Sequence, residues 1–136
     1  MSREPKFFVQ EQHLPWESWG DWGQDPDSEV ARRNQIQWKT LVSSDRTDSQ
    51  GLAAGVALLE PGRELSIHHH AQDEIYYILS GYPTVTVAGR ARVVRPGTTV
   101  FIPGGVKHGV RNDGEGSVRL FYVLQADAFG DVVYRF

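Results

Sequence analysis

An all-β fold is expected of this chain on three grounds. Short runs rich in Val, Ile, Tyr, Phe and Thr recur at even spacing from Ile36 to Phe136. Gly, Pro, Asn or Asp punctuates the gaps between them, as turn formers do. Ahead of them, Pro15, Gly20, Gly23 and Pro26 argue against a long regular helix. Strands this short and this evenly spaced belong to a barrel or a sandwich.

The elements follow in order. Residues 1–50 read as an N-terminal arm ending in a first strand. Between Glu11 and Ala31 lie six acids, no Lys or Arg, and three tryptophans, Trp16, Trp19 and Trp22. These rings are expected to pack on the outside of the barrel or on a second subunit, since burying indole area is their commoner use. The alternative is an aromatic lid over a substrate pocket. Residues 36–42 alternate like a strand, and 43–50 are polar and loop-like. The barrel is expected over 51–136, with strands at 52–59, 64–70, 74–80, 82–88, 90–94, 99–102, 108–111, 118–125 and 132–136. Along 118–125 either Leu120, Tyr122 and Leu124 or Phe121 and Val123 must face inward. The sequence leaves that choice open, as it does for Trp38.

Composition bounds the function. A chain of 136 residues with 40% apolar and 11% aromatic residues is one globular domain, not a disordered one. A formal charge of −3, with no Lys/Arg cluster, gives no electrostatic case for nucleic acid. Without cysteine there is no disulfide and no thiolate ligand. No basic-then-apolar leader and no run of membrane-spanning length is visible, so a cytoplasmic location is expected.

Chemistry concentrates between Gly62 and Asn112. Four of the five histidines lie there, at 68, 69, 70 and 108. On a strand running through 64–70, Ser66, His68 and His70 would share one face, and Ile67 and His69 the other. His69 is therefore read as a surface or packing residue. Ala71-Gln72-Asp73 is short enough for a hairpin connection, which lets Glu74 point to the same side as His68 and His70. His108 arrives from a third segment, after the Pro103-Gly104-Gly105 turn. Imidazoles and a carboxylate suit a divalent transition metal.

The spacing G-x5-H-x-H-x3-E-x6-G is filled by Gly62, His68, His70, Glu74 and Gly81. The spacing G-x5-P-x-G-x2-H-x3-N is filled by Gly97, Pro103, Gly105, His108 and Asn112. Together they resemble the two signature motifs of the cupin superfamily, in particular its small single-domain members. The resemblance covers residues 52–125. It implies a double-stranded jelly-roll β-barrel with one divalent metal per chain (Fe, Mn, Ni or Zn) on His68, His70, Glu74 and His108. It also implies a homodimer, to which the arm, Phe7-Phe8-Val9 and Val132-Val133-Tyr134 would contribute by covering a partner's sheet edge.

Tyr76, two residues after Glu74, falls on the same inward face. Its Glu-x-Tyr context is similar to metal-dependent cupin lyases acting on dimethylsulfoniopropionate, which implies a catalytic base. A phenol of pKa about 10 would need a nearby cation for that role. The alternative is a structural tyrosine lining the barrel. Arg63, Arg90, Arg92, Arg95, Arg111 and Arg119 could orient a substrate carboxylate, although turn and strand-end positions favour solvated charges. Two readings follow. One is a metal-dependent small-molecule enzyme, a lyase, dioxygenase or isomerase. The other is a non-catalytic metal- and ligand-binding module for storage or sensing.

Overall fold

A computed structural model describes residues 6–19, 28, 29, 31 and 34–136 of the chain. Trp22, Gly20, Gly23 and Pro26 lie outside the described residues. Among those described, nine strands form: β1 (Gln37–Val42), β2 (Ala53–Leu59), β3 (Glu64–His68), β4 (Glu74–Ser80), β5 (Thr84–Val87), β6 (Arg90–Val93), β7 (Thr99–Ile102), β8 (His108–Arg111) and β9 (Val118–Leu124). A five-stranded sheet runs β1-β2-β9-β4-β7 and a four-stranded sheet runs β3-β8-β5-β6, every pair antiparallel. The two sheets make the jelly-roll barrel expected from the sequence. No helix among the described residues is long and apolar enough to cross a membrane.

The core follows from two-residue alternation. Along β4, Glu74, Tyr76 and Ile78 are buried while Ile75, Tyr77 and Leu79 are exposed. β9 turns Leu120, Tyr122 and Leu124 inward, which settles the open choice, and Trp38 is buried as well. Gly55 on β2 sits opposite Tyr122, and a Cβ there would collide with the Tyr122 hydroxyl and the Lys39 carbonyl. At Gly81 φ is +84°, and a Cβ would come within 2.6 Å of the Ser117 carbonyl oxygen, so only glycine suits the end of β4.

The arm lies on the barrel of its own chain. Glu17 pairs its main chain with Trp38 (N···O 2.7 and 3.1 Å), which covers the free edge of β1. The Glu17 carboxylate accepts hydrogen bonds from Thr40 Oγ1 at 2.7 Å and from Arg46 at 2.8 Å on each oxygen. Burial alone would raise its pKa, but the Arg46 and Thr40 donors prevail and hold it below the usual carboxylate range. Trp16 lies 4.7 Å under the Lys39 ammonium, and Arg119 pairs with Glu11.

Besides shifts of one residue at several strand ends, three departures from expectation stand out. β5 begins at Thr84 rather than 82 because Pro83 has no N–H to give the ladder. β3 stops at His68, and His69 forms an isolated bridge with Arg135 instead. Residues 132–136 are not a strand. They follow a 3-10 turn at Phe129–Asp131, and their backbone pairs with the barrel through that bridge at His69.

Candidate metal centre

His68, His70 and His108 come together inside the barrel, with one ligand atom from each within 4.8 Å of the others. Each ring is oriented by the backbone. Nδ1–H of His68 donates to the Ser66 carbonyl (2.7 Å), that of His70 to Gln72 (3.1 Å) and that of His108 to Val106 (2.9 Å). A carbonyl can only accept, so the proton must sit on Nδ1 in all three. That leaves the Nε2 lone pairs aimed inward. Backbone acceptors of this kind fix tautomer and ring direction for a metal ligand.

Glu74 Oε1 stands 3.1 Å from His70 Nε2 and 3.2 Å from His108 Nε2. Two acceptor lone pairs cannot face a carboxylate oxygen so closely without a cation or extra protons between them. Such separations are those of neighbouring ligands on one ion with bonds of roughly 2.0–2.2 Å. His68 Nε2 is buried with no hydrogen-bond partner, a cost a bound ion removes. Burial, helped by the positive charge His108 would carry, lowers the His68 pKa to about 4, so the ring stays neutral and ligating at neutral pH. Burial works against the Glu74 charge, yet an extra proton on Nε2 of His108 and His70, in the place a metal ion would take, outweighs it and holds the carboxyl below the usual carboxylate range. The residues present therefore fit a divalent metal held by three imidazoles and one carboxylate.

Strand register makes this cluster. Leu65 pairs with Val110, yet His68 pairs with His108, so one extra residue is inserted in β3 between them. Without this β-bulge His68 would face Lys107 and point outward with the opposite parity. The bulge sits where Gly109 leaves room, since a Cβ there would meet Leu65 O and Ile67 Cδ1, each at 3.0 Å. A straight strand from 64 to 70 had been expected. The inward set is instead Leu65, His68 and His70, and the signal was the glycine inside β8. Asp73 supplies a second device. Its Oδ1 accepts from Gly104 N at 2.7 Å and clips the loop before His108 to the hairpin before Glu74.

Beside the ligands lies a chamber of about 30 Å³, room for a water or two. Its walls include Trp19, Tyr76, Tyr122, Phe129 and Tyr134, none of them charged, and none of the six arginines lines it. Arg63, Arg90, Arg92, Arg95 and Arg111 are exposed instead. Tyr76 falls on the expected face, with its ring 6.2 Å from that of His108. Burial, then the Glu74 charge, pushes its phenol well above the ordinary range, opposite to the help expected from a metal cation. His69, as expected, faces away. Tyr134 was expected to serve a subunit edge. Its ring stacks on His68 at 5.0 Å within the same chain.

A jelly-roll barrel carrying an internal three-histidine, one-glutamate set defines a class of small metal-binding β proteins. The chain belongs to the cupin family: the Cupin domain model matches residues 55–124. It is 34% identical over 94 residues to the protein SchB of Streptomyces halstedii, which is 68% of each chain. It is also 30% identical over 97 residues to the polyketide synthase CurC of Streptomyces cyaneus, 71% of this chain and 63% of that one. Among solved structures, the polyketide cyclase RemF from Streptomyces resistomycificus superposes with a TM-score of 0.72 at 19% identity, over 99% of this chain and 84% of that one. In length the matches span only 56% to 68% of the Streptomyces proteins similar in sequence.

Proposed function

We propose that this cupin is a metal-dependent enzyme acting on a ketone-bearing, polyketide-type substrate, and that it promotes ring closure. The observation that carries the reading is a buried set of candidate metal ligands beside an uncharged, tyrosine-lined chamber, with the rings of Tyr76 and Tyr134 standing between the two. The likeness to CurC and RemF supports the substrate class. A carboxylate-bearing substrate is favoured less, because no arginine reaches the chamber.

His68, His70, Glu74 and His108 would hold the ion, and the carbonyls of Ser66, Gln72 and Val106 would keep the rings aimed at it. Bound there, a divalent metal would act as a Lewis acid on a substrate carbonyl oxygen. In an aldol-type closure a methylene carbon loses a proton and bonds to a second carbonyl carbon, which closes the ring. The oxygen of that carbon gains the proton, and loss of this hydroxyl with a neighbouring hydrogen as water leaves a carbon–carbon double bond in the ring. Tyr76 is the candidate proton-transfer group. Its surroundings keep the phenol protonated, so it enters as a donor to oxygen, and service as a base would require the metal's charge. Dehydrative closure places the activity nearest the lyase class among lyase, dioxygenase and isomerase. The exposed apolar face of Ile75, Tyr77, Leu79 and Phe101, with Phe7 and Phe8 also exposed, supports a homodimer.

The test is to supply a synthetic poly-β-ketone thioester to the metal-loaded protein and follow ring products and oxygen together. The expected result is a cyclised product with no oxygen consumed. Oxygen uptake would point to a dioxygenase. Tight binding without turnover would leave the storage or sensing module as the better reading.

A further inference from the structure

The chamber beside the ligands is closed by a piece of chain that belongs to neither sheet. Tyr134 lies face to face with His68 (centroids 5.0 Å apart, planes at 30°). It is edge-on to His70 at 5.5 Å and to Trp19 at 5.3 Å, and Phe129 touches it at 6.1 Å. Ring contacts are what hold this side chain. With the ring in place about 30 Å³ remains, whereas a cavity of roughly 150 Å³ is what takes up benzene in an engineered protein interior. No ring-sized ligand reaches the metal-ligating atoms by that side unless a wall moves.

The walls are unequally fastened. Tyr76 and Tyr122 stand on central strands of the five-stranded sheet. The Phe129–Asp131 turn is pinned, with Phe129 N–H donating to Ser43 Oγ at 3.1 Å and Ser44 N–H to the Asp127 carbonyl at 2.8 Å. Beyond that turn the backbone is held by the reciprocal pair of His69 and Arg135 (2.9 and 3.0 Å). Val133 and Phe136 are 59% and 51% exposed, so the apolar anchors are buried Val132, partly buried Tyr134 and the contact of the Phe136 ring with His68 at 5.6 Å. Segments with few buried contacts and a short hydrogen-bonded edge open at the smallest cost.

We propose that the volume taken by the Tyr134 ring is a binding subsite for a planar aromatic or phenolic ring of the ligand, and that residues 132–136 withdraw when that ring enters. The site is already shaped for such a ring, with an imidazole face beneath it and an indole edge beside it. Aromatic pairs favour these two geometries. The proposal rests on the polyketide reading above and deepens it, since closing a polyketone chain produces a flat phenolic ring.

The test uses the full, metal-loaded chain and 1,3-dihydroxynaphthalene as the probe. Hydrogen–deuterium exchange, read by peptic digest and mass spectrometry, reports whether residues 132–136 open. The probe should bind wild type and speed amide exchange in these residues at least tenfold. Tyr134→Ala should bind the probe at least tenfold tighter than wild type, and Tyr134→Phe should match wild type. Three results would overturn the proposal: no binding to folded Tyr134→Ala, binding to wild type with the chain end still protected, or binding by the variant alone, which would make the segment a fixed wall. The wild-type exchange decides the matter even if the variant fails to fold. Absence of ring closure on a poly-β-ketone, with the exchange as expected, sinks the functional reading alone. The reverse pattern sinks the ring subsite alone.

Discussion

The ligand cluster and the chamber beside it share one interior but are built by opposite means. The cluster is polar and local. His68, His70 and Glu74 come from one strand–hairpin–strand unit, His108 from the strand paired with His68, and each imidazole is aimed by a backbone carbonyl within two residues of it. The chamber is apolar and assembled from far apart, with Trp19 from the arm, Tyr76 and Tyr122 from the sheet, and Phe129 and Tyr134 from the end of the chain. Chemistry at the first is set by lone pairs and charge, and selectivity at the second by shape. Damage to one should therefore leave the other standing.

His108→Ala should give the largest effect. Losing one of four ligands should weaken metal retention more than about 100-fold, the upper end of what even an outer partner's loss produces, and abolish turnover. The apo-protein's melting curve should be kept. Dialysis against a graded chelator, with elemental analysis, reads the outcome, and full retention would remove His108 from the set. Next, Tyr76→Phe should lower kcat by roughly 10²–10⁴ if its hydroxyl moves a proton, with metal content unchanged. A loss confined to KM would make it a wall residue. Phe129→Ala attacks the chamber instead. It should cost about 3–5 kcal/mol of stability and leave metal stoichiometry intact, as urea unfolding beside elemental analysis would show.

The cluster's pH response has a definite sign. In the metal-free protein the His68 pKa falls from 6.5 to about 4, chiefly through burial. The unfolded chain thus binds the extra proton first, and stability declines as pH falls from 6.5 toward 4. This one group contributes about 3 kcal/mol to that decline. Urea midpoints between pH 7 and pH 4 should track it, and His68→Leu should flatten the slope. An unchanged slope in the variant would mean His68 is not held neutral.

The same contrast explains what could be read ahead of the structure. The clustering of His68, His70, Glu74 and His108 was legible because such residue types are costly to bury and their spacing matches strand geometry. Strand positions were legible because Gly and Pro punctuate the apolar runs, down to the inward placing of Tyr76. The bulge in β3 was not, since Leu65 and Ile67 are equally apolar and only Gly109, on a different strand, makes room for the extra residue. Tyr134 and Phe129 were missed because the rings that place them in the barrel lie some 60 positions and more away in the chain, His68 for Tyr134 and Trp38 for Phe129. Trp19 carried a partial signal. An indole in an acidic arm indicates burial, but alternation cannot say against which surface.

Elemental analysis of untagged protein, run beside Glu74→Ala, tests the central claim most directly. The expected result is close to one equivalent of a divalent transition metal per chain in the wild type, with most of it lost from the variant. Absence of bound metal from wild type, even after incubation with Fe(II), Mn(II), Ni(II) or Zn(II), would contradict the account. His68, His70, Glu74 and His108 would then be a buried polar cluster and no metal centre.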